Sequence, residues 1–348
     1  MPKWKPFASL ALLCALLPSG LPAGAQTADA YRLSGPSVHG NLAIYFVHGQ
    51  SRPGPVPLTL QEALSKKLVE IRETGRVNEL EVKNTGGQEI YIQSGDIVKG
   101  GRQDRVLSVS MILPPHSGVI PVRSFCVEQH RWSERAGDDA TVFANSNAIL
   151  PSRVAKMGMR APSAEADRAA RDVVYARQEK IWHDVTVIQG KLSSSLGAPV
   201  AAPSSQSSLQ LALENKNLER KQAAFVASLQ PAGVKESDIV GYVFAVNGRL
   251  NSAEIYPSNG LFRKMWPVLL RASATEAIAD RDGAAEPVPS IAKVSGFLDG
   301  ARGAHGVDEA AGATARVNVR QSTNALLFEA RPSAAPAAAW INRSYLAK

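Results

Sequence analysis
The densest chemistry in the chain lies in Ser94 to Val106, which reads S-G-D-I-V-K-G-G-R-Q-D-R-V. Lys99, Arg102 and Arg105 stand there with Asp96, Gln103 and Asp104 around the pair Gly100 and Gly101. Adjacent glycines let backbone N–H groups turn into one concavity, and nearby cations favour an anion in it. The competing reading is a polar strand connection whose charges pair on the surface, each pair contributing at most about 1 kcal/mol.

A second cluster follows directly: Cys126, Glu128, Gln129, His130, Arg131 and Trp132. A thiol beside a base and a cation has the composition of an activated nucleophile. Cys126 nevertheless shares a strand face with Ile120 and Val122, which predicts a buried, inert thiol, so no catalytic residue is assigned. The six histidines are scattered without the spacing of a metal site, and no phosphate-binding or dinucleotide fingerprint appears, so neither metal nor cofactor is expected. The ligand-binding set is therefore Asp96, Lys99, Gly100, Gly101, Arg102, Gln103, Asp104 and Arg105, backed by Glu128, Arg131 and Trp132.

These motifs, G-D-I-V-K-G-G-R-Q-D-R-V at Gly95 to Val106, I-P-V at Ile120 to Val122 and C-V-E-Q-H-R-W at Cys126 to Trp132, resemble the ARG and rhodanese-phosphatase-superfamily-associated protein family. The likeness is tightest over residues 40–135 and extends more loosely to about residue 280. The family's name refers to domains found near its members, including ADP-ribosylglycohydrolases, so the resemblance implies a loose tie to ADP-ribose or NAD chemistry. It also implies that the two motifs form one site.

The elements that must position these residues are legible from periodicity. Asn41 to Val47 is an apolar run, Leu80 and Val82 alternate with Glu81 and Lys83, and Ile90 and Ile92 follow a turn, which predicts successive antiparallel strands. Thr59 and Glu62 form a capping box ahead of a short helix. Leu107, Val109, Met111 and Leu113 predict one strand with Ser108 and Ser110 facing outward, and Val119 to Val127 predicts another. From Ser163 the apolar period changes to three and four, giving a long amphipathic helix. The Ser, Ala, Pro and Gly of residues 193–208 read as an exposed flexible connection to a second helix, Leu209 to Leu229. Asn247 and Gly248 close a hairpin between Ile239 and Tyr256, and a helix from Gly260 to Ile278 follows.

The fold class predicted is α+β, with an antiparallel β-rich N-terminal part, a helical pair and a following hairpin-helix unit. Residues 1–25 read as a leader, and 26–280 as a globular domain comprising a β-rich part at 38–130, the helical pair at 163–229, and the hairpin and helix at 239–278. Residues 281–348 read as a C-terminal extension with a strand pair and a mobile tail.

Lys3 and Lys5 precede an apolar run from Phe7 to Leu17 that Pro18, Gly20 and Pro22 break, and Ala23, Gly24 and Ala25 form a small-residue cleavage site. Export to the periplasm or beyond the cell is expected, with no membrane span after cleavage. Losing residues 1–25 removes Cys14, leaving Cys126 alone, and lowers the formal charge from +8 to +6. The remaining charges are interspersed, without the basic runs that bind nucleic acid. The expected partner is a small anionic ligand or a component of the cell envelope, held by a noncatalytic binding module. The rival reading is a hydrolase acting on a phosphorylated or nucleotide-like substrate at the same loop.

Overall fold
A computed structural model describes residues 1–2, 31–131, 141–160, 169–281, 284–312, 314–334 and 339–348. Residues 3–25 of the expected leader, Trp132 and the helix start expected at Ser163 lie outside the described residues.

The first half of the chain is mostly strand: β1 (Arg32–His39), β2 (Leu42–His48), β3 (Leu58–Thr59), α1 (Leu60–Ser65), β4 (Val69–Glu73), β5 (Glu79–Asn84), β6 (Ile90–Ile92), β7 (Asp96–Gly100), β8 (Arg105–Leu107), β9 (Met111–Leu113), β10 (Ile120–Cys126) and β11 (Phe143–Ile149). Helices α2 (Arg153–Arg160), α3 (Ala169–Leu196), α4 (Leu209–Leu213) and α5 (Lys216–Gly233) follow. The hairpin β12 (Ile239–Val246) and β13 (Arg249–Ile255), then α6 (Asn259–Ala279) and α7 (Ile291–Arg302), lead into β14 (Gly306–Ala310), β15 (Ala315–Gln321), β16 (Ala325–Pro332) and β17 (Asn342–Ala347). The fold is α+β with a β-rich N-terminal part.

Three sheets result. The largest has the order β1-β2-β12-β13-β17-β16-β15-β14, the second β11-β7-β8-β10-β5-β4, and the smallest β3-β6-β9. Among the described residues, only β3 and β6 pair in parallel. Residues from 281 onward thus supply α7 and four strands of the large sheet, and Tyr31–Lys348 is one compact unit.

The apolar run in β2 has a physical cause. Leu42, Ile44 and Phe46 point into one core with Trp266 and Phe262 of α6, while Ala43, Tyr45 and Val47 point into another with Phe297 and Leu298 of α7. A central strand covered on both faces needs no polar alternation. The hairpin turn follows its sequence as well, with Asn247 and Gly248 both at positive φ, and Thr59 and Glu62 make the reciprocal capping bonds of α1.

Two local expectations are corrected. Leu107 to Leu113 is not one strand: β8 and β9 belong to different sheets, and Ser110 between them is buried, its hydroxyl accepting the Ser94 N–H at 2.9 Å. Residues 197–208 are not an exposed connection, because Val200 and Ser208 are fully buried and Ser205, Ser207 and Ser208 all bond to the β-rich part. In addition, α5 packs chiefly on α6 rather than on α3. Among the described residues no helix is long and apolar enough to cross a membrane.

Candidate functional site
The structure brings the two sequence clusters together, and their polar groups answer one another. β7 and β8 form a hairpin around Gly100 and Gly101, and β8 pairs with β10, which places Arg105 opposite Cys126. Arg105 is completely buried. Its Nη2 donates to both oxygens of Glu73 on β4 at 3.2 and 3.3 Å, and its Nη1 donates to Gln103 Oε1 and to Cys126 Sγ. A guanidinium without solvent costs several kcal/mol unless a carboxylate and further acceptors meet it, and here they do.

The expected concavity at the glycine pair is filled from within. Gly100 N–H donates to Asp104 Oδ1 at 3.1 Å, so the anion that meets it is the chain's own. Asp104 Oδ2 accepts from the Ser208 hydroxyl at 2.8 Å, and the Asp104 N–H donates to Glu128 Oε2 at 3.1 Å. Arg131 reaches Glu128 at 2.7 Å and donates to the Gly101 carbonyl at 3.1 Å. Gly101 has φ +56°, and a Cβ there would lie 2.5 Å from the Phe143 ring and 2.9 Å from Glu73 Oε1, so this corner admits no larger residue.

Lys99, Arg102 and Arg105 do not converge on one point. Lys99 forms an ion pair with Glu214 at 2.8 Å, Arg102 is exposed with its backbone N–H on Glu73, and Arg105 lies inside. Asp96 pairs with none of them: it accepts from Gln61 Nε2 and from the Gln93 N–H, both at 2.8 Å. Burial pushes its carboxyl up to about 7, against the lowering effect of those two bonds. Burial also opposes ionisation of Glu128, but bonds from Arg131, Ser205 and the Asp104 N–H outweigh it and hold its carboxyl below the ordinary value. The Cys126 thiol is pushed up to about 11, mainly by burial, so it stays protonated near neutral pH.

A cavity of about 430 Å³ opens on the other side of these strands. Its walls come from Ser108 and Val109 after β8, Ser124 and Phe125 of β10, Met159 and Arg160 of α2, Val173 and Arg177 of α3, and Val319, Phe328 and Ser344 of the large sheet. Ser94, the first residue of the polar segment, lies in its floor and receives bonds from Arg160 to its hydroxyl and its carbonyl, both at 2.9 Å. Arg160 also donates to Ser344, which in turn donates to the buried Glu254 at 2.7 Å.

Charge in the cavity is unequal. Among the described lining residues are four arginines, Arg76, Arg123, Arg160 and Arg177, and two acids, Glu79 and Glu309. Glu79 is engaged by Arg76 at 3.2 Å, which leaves Glu309 facing both Arg123 and Arg177. Burial lowers the Arg177 guanidinium and Arg123 adds to this, while Glu309 opposes both. The apolar walls and the excess of arginine suit an organic anion. Sequence reasoning missed the cavity because its walls meet only through long-range pairing of β15–β17 with the rest of the large sheet.

The family model described as the ARG and Rhodanese-Phosphatase-superfamily-associated Protein domain matches residues 30–345, nearly the whole chain. The chain belongs to this family. The match includes the C-terminal strands that complete the large sheet, and with them the cavity wall from Val317 to Ser344. No curated protein and no solved structure matches the chain.

Breaking the buried ion pair should be costly. Arg105→Ala strands the Glu73 carboxylate and should lose about 3 to 5 kcal/mol of unfolding free energy. Lys99→Ala, which opens a half-exposed pair, should lose no more than about 1 kcal/mol. Chemical denaturation of the two variants beside the parent checks the contrast.

Asp96 makes stability depend on pH. Its carboxyl ordinarily titrates at 3.8 and in the fold at about 7, so between these values the folded chain holds a proton that the unfolded chain has released. Stability should therefore fall as pH rises through that window and level off above it. Glu276, also raised to about 7 by burial, acts in the same direction. Asp96→Asn should flatten part of the slope, read as melting temperature from pH 4.5 to 8.

Proposed function
We propose that the protein is exported and binds small organic anions, and that the cavity between β10, α2, α3 and the C-terminal strands is a noncatalytic site for them. The observation that carries this reading is the excess of arginine, with Arg123 and Arg177 facing each other across walls that include Phe125, Met159 and Val173. A carboxylate or phosphate would sit between Arg123 and Arg177, while its apolar body rests on Phe125, Met159 and Val173. The cavity is within the usual range for small-molecule sites. Its described lining residues include no His, Cys or Lys, which favours binding over general-base or covalent chemistry there. The loop Asp96 to Arg105 acts as the frame behind the cavity, since β8 and β10 are held by Arg105, Glu73 and Cys126.

Export is proposed on Lys3 and Lys5, the apolar run from Phe7 to Leu17 and the sequence Ala23-Gly24-Ala25. Expressed with its own N-terminus, the protein should be recovered outside the cytoplasm with a mass about 25 residues short. Intact-mass spectrometry on cell fractions reads this directly.

Binding is tested with thermal shift and calorimetry on a panel of octanoate, phenyl phosphate, ADP-ribose and inorganic phosphate. Octanoate or phenyl phosphate should stabilise the parent, with inorganic phosphate much weaker because it leaves the apolar walls unused. Each charge-assisted bond contributes about 1.5 to 3 kcal/mol, so Arg123→Ala and Arg177→Ala should each weaken binding at least tenfold while the chain still folds. Equal affinity in parent and double variant would remove the cavity from consideration.

A further inference from the structure
His48 is buried in the fold, yet both its ring nitrogens reach side chains at the β1 end of the large sheet. Its Nε2 lies 2.7 Å from Ser34 Oγ, and its Nδ1 lies 2.8 Å from Asp238 Oδ1. Ser34 stands on β1, the edge strand, beside a register shift in the pairing of β1 with β2. Asp238 immediately precedes β12, whose Ile239 pairs with His48, and the Gly49 N–H donates to the Asp238 carbonyl at 2.9 Å. Three backbone segments thus fix the three side chains in one row.

From this geometry we propose that Ser34, His48 and Asp238 form a nucleophile, base and positioning carboxylate that hydrolyse small acyl esters at the β1 edge. The proposal concerns a site separate from the arginine cavity and does not rest on it.

In the proposed arrangement Nδ1 carries its proton toward Asp238, which leaves Nε2 to accept the Ser34 O–H. That is the orientation in which a neutral imidazole takes a hydroxyl proton. Arg32 Nη2 lies 2.8 Å from both Nδ1 and Asp238 Oδ2 and 3.4 Å from Glu236, and with Nδ1 protonated its bonds go to the carboxylates. His48, Glu236 and Asp238 also bring three ligand-type atoms within 4.8 Å of one another. The chain's own guanidinium meets both carboxylates there, which favours the serine reading over a metal.

The step balances with water as the only co-reactant. Ser34 Oγ bonds to the acyl carbon as its proton passes to His48 Nε2. The bond from that carbon to the leaving oxygen then breaks, and the leaving alkoxide takes the proton, giving an alcohol and an acyl-Ser34 ester. Water adds to the acyl carbon with His48 again accepting a proton. The carbon–Oγ bond breaks, the acid departs, and Ser34 recovers its proton. Asp238 touches no reacting atom and acts by holding the ring. Outward N–H groups of an edge strand are available to a substrate carbonyl.

The test uses the full chain, a fluorophosphonate probe and p-nitrophenyl acetate. Peptide mass spectrometry should place the phosphonyl group on Ser34, and the parent should hydrolyse the ester. Ser34→Ala, at a half-exposed edge position, should fold as the parent does and lose both labelling and hydrolysis. Asp238→Asn should lower kcat at least tenfold with KM little changed and shift the pH profile, whereas Asp238→Glu should restore part of the rate. A folded parent that leaves Ser34 unlabelled overturns the proposal, as does a Ser34→Ala protein that hydrolyses the ester at the parental rate, or hydrolysis abolished by a metal chelator.

Discussion
A guanidinium sealed from water dictates much of what surrounds it, and Arg105 is such a group. It has to find a carboxylate and further acceptors inside the fold, or else the chain bears the cost of an uncompensated buried charge. Glu73 answers from β4, Cys126 from β10 and Gln103 from the hairpin itself, so one side chain joins separate parts of the six-stranded sheet. Around it a second layer closes: Asp104, Glu128 and Arg131 bind the glycine turn, and Ser205 and Ser208 pin the segment after α3 onto the same spot. The region densest in charge is thereby the most internally committed, and the strands it fixes present Phe125 to the cavity beyond.

Composition identifies polar groups that must be satisfied, and it is silent on who satisfies them. Adjacent glycines with nearby cations are an anion-binding pattern, and an anion is indeed bonded to the Gly100 N–H, but it is Asp104, four residues along the chain. The short-range features of the sequence were legible for this reason. The Asn247-Gly248 turn, the Thr59 and Glu62 capping box, the doubly apolar β2 and the burial of Cys126 depend on neighbours within a few residues or on one strand face. The partner of Arg105 lies 32 residues away and that of Lys99 lies 115 away, distances over which spacing carries no signal. Ser, Pro and Ala between α3 and α4 resemble a linker because all are small or helix-breaking and none is large and apolar. The same smallness lets Ser205 and Ser208 enter a crowded interior and donate to buried carboxylates.

The cavity and the Ser34 edge share that origin in tertiary pairing. Arg123 and Arg177 meet Glu309 only because β14–β17 complete the large sheet, and His48 meets Asp238 only because β2 pairs with β12. The family match over residues 30–345 covers these elements up to the last two residues of β17. The two proposed sites are thus separated by the fold: an apolar, arginine-rich interior, and an edge where the Ser34 hydroxyl meets His48.

The central claim is that the glycine loop serves as a frame and the cavity as the receptor. The most direct measurement is a crystal structure of the protein soaked with phenyl phosphate. The account predicts density in the cavity, with the phosphate between Arg123 and Arg177, the ring on Phe125, and the bonds of Asp104 to Gly100 and Ser208 unchanged. A phosphate seated at Gly100 and Gly101 with Asp104 displaced, and the cavity without ligand density, would contradict it.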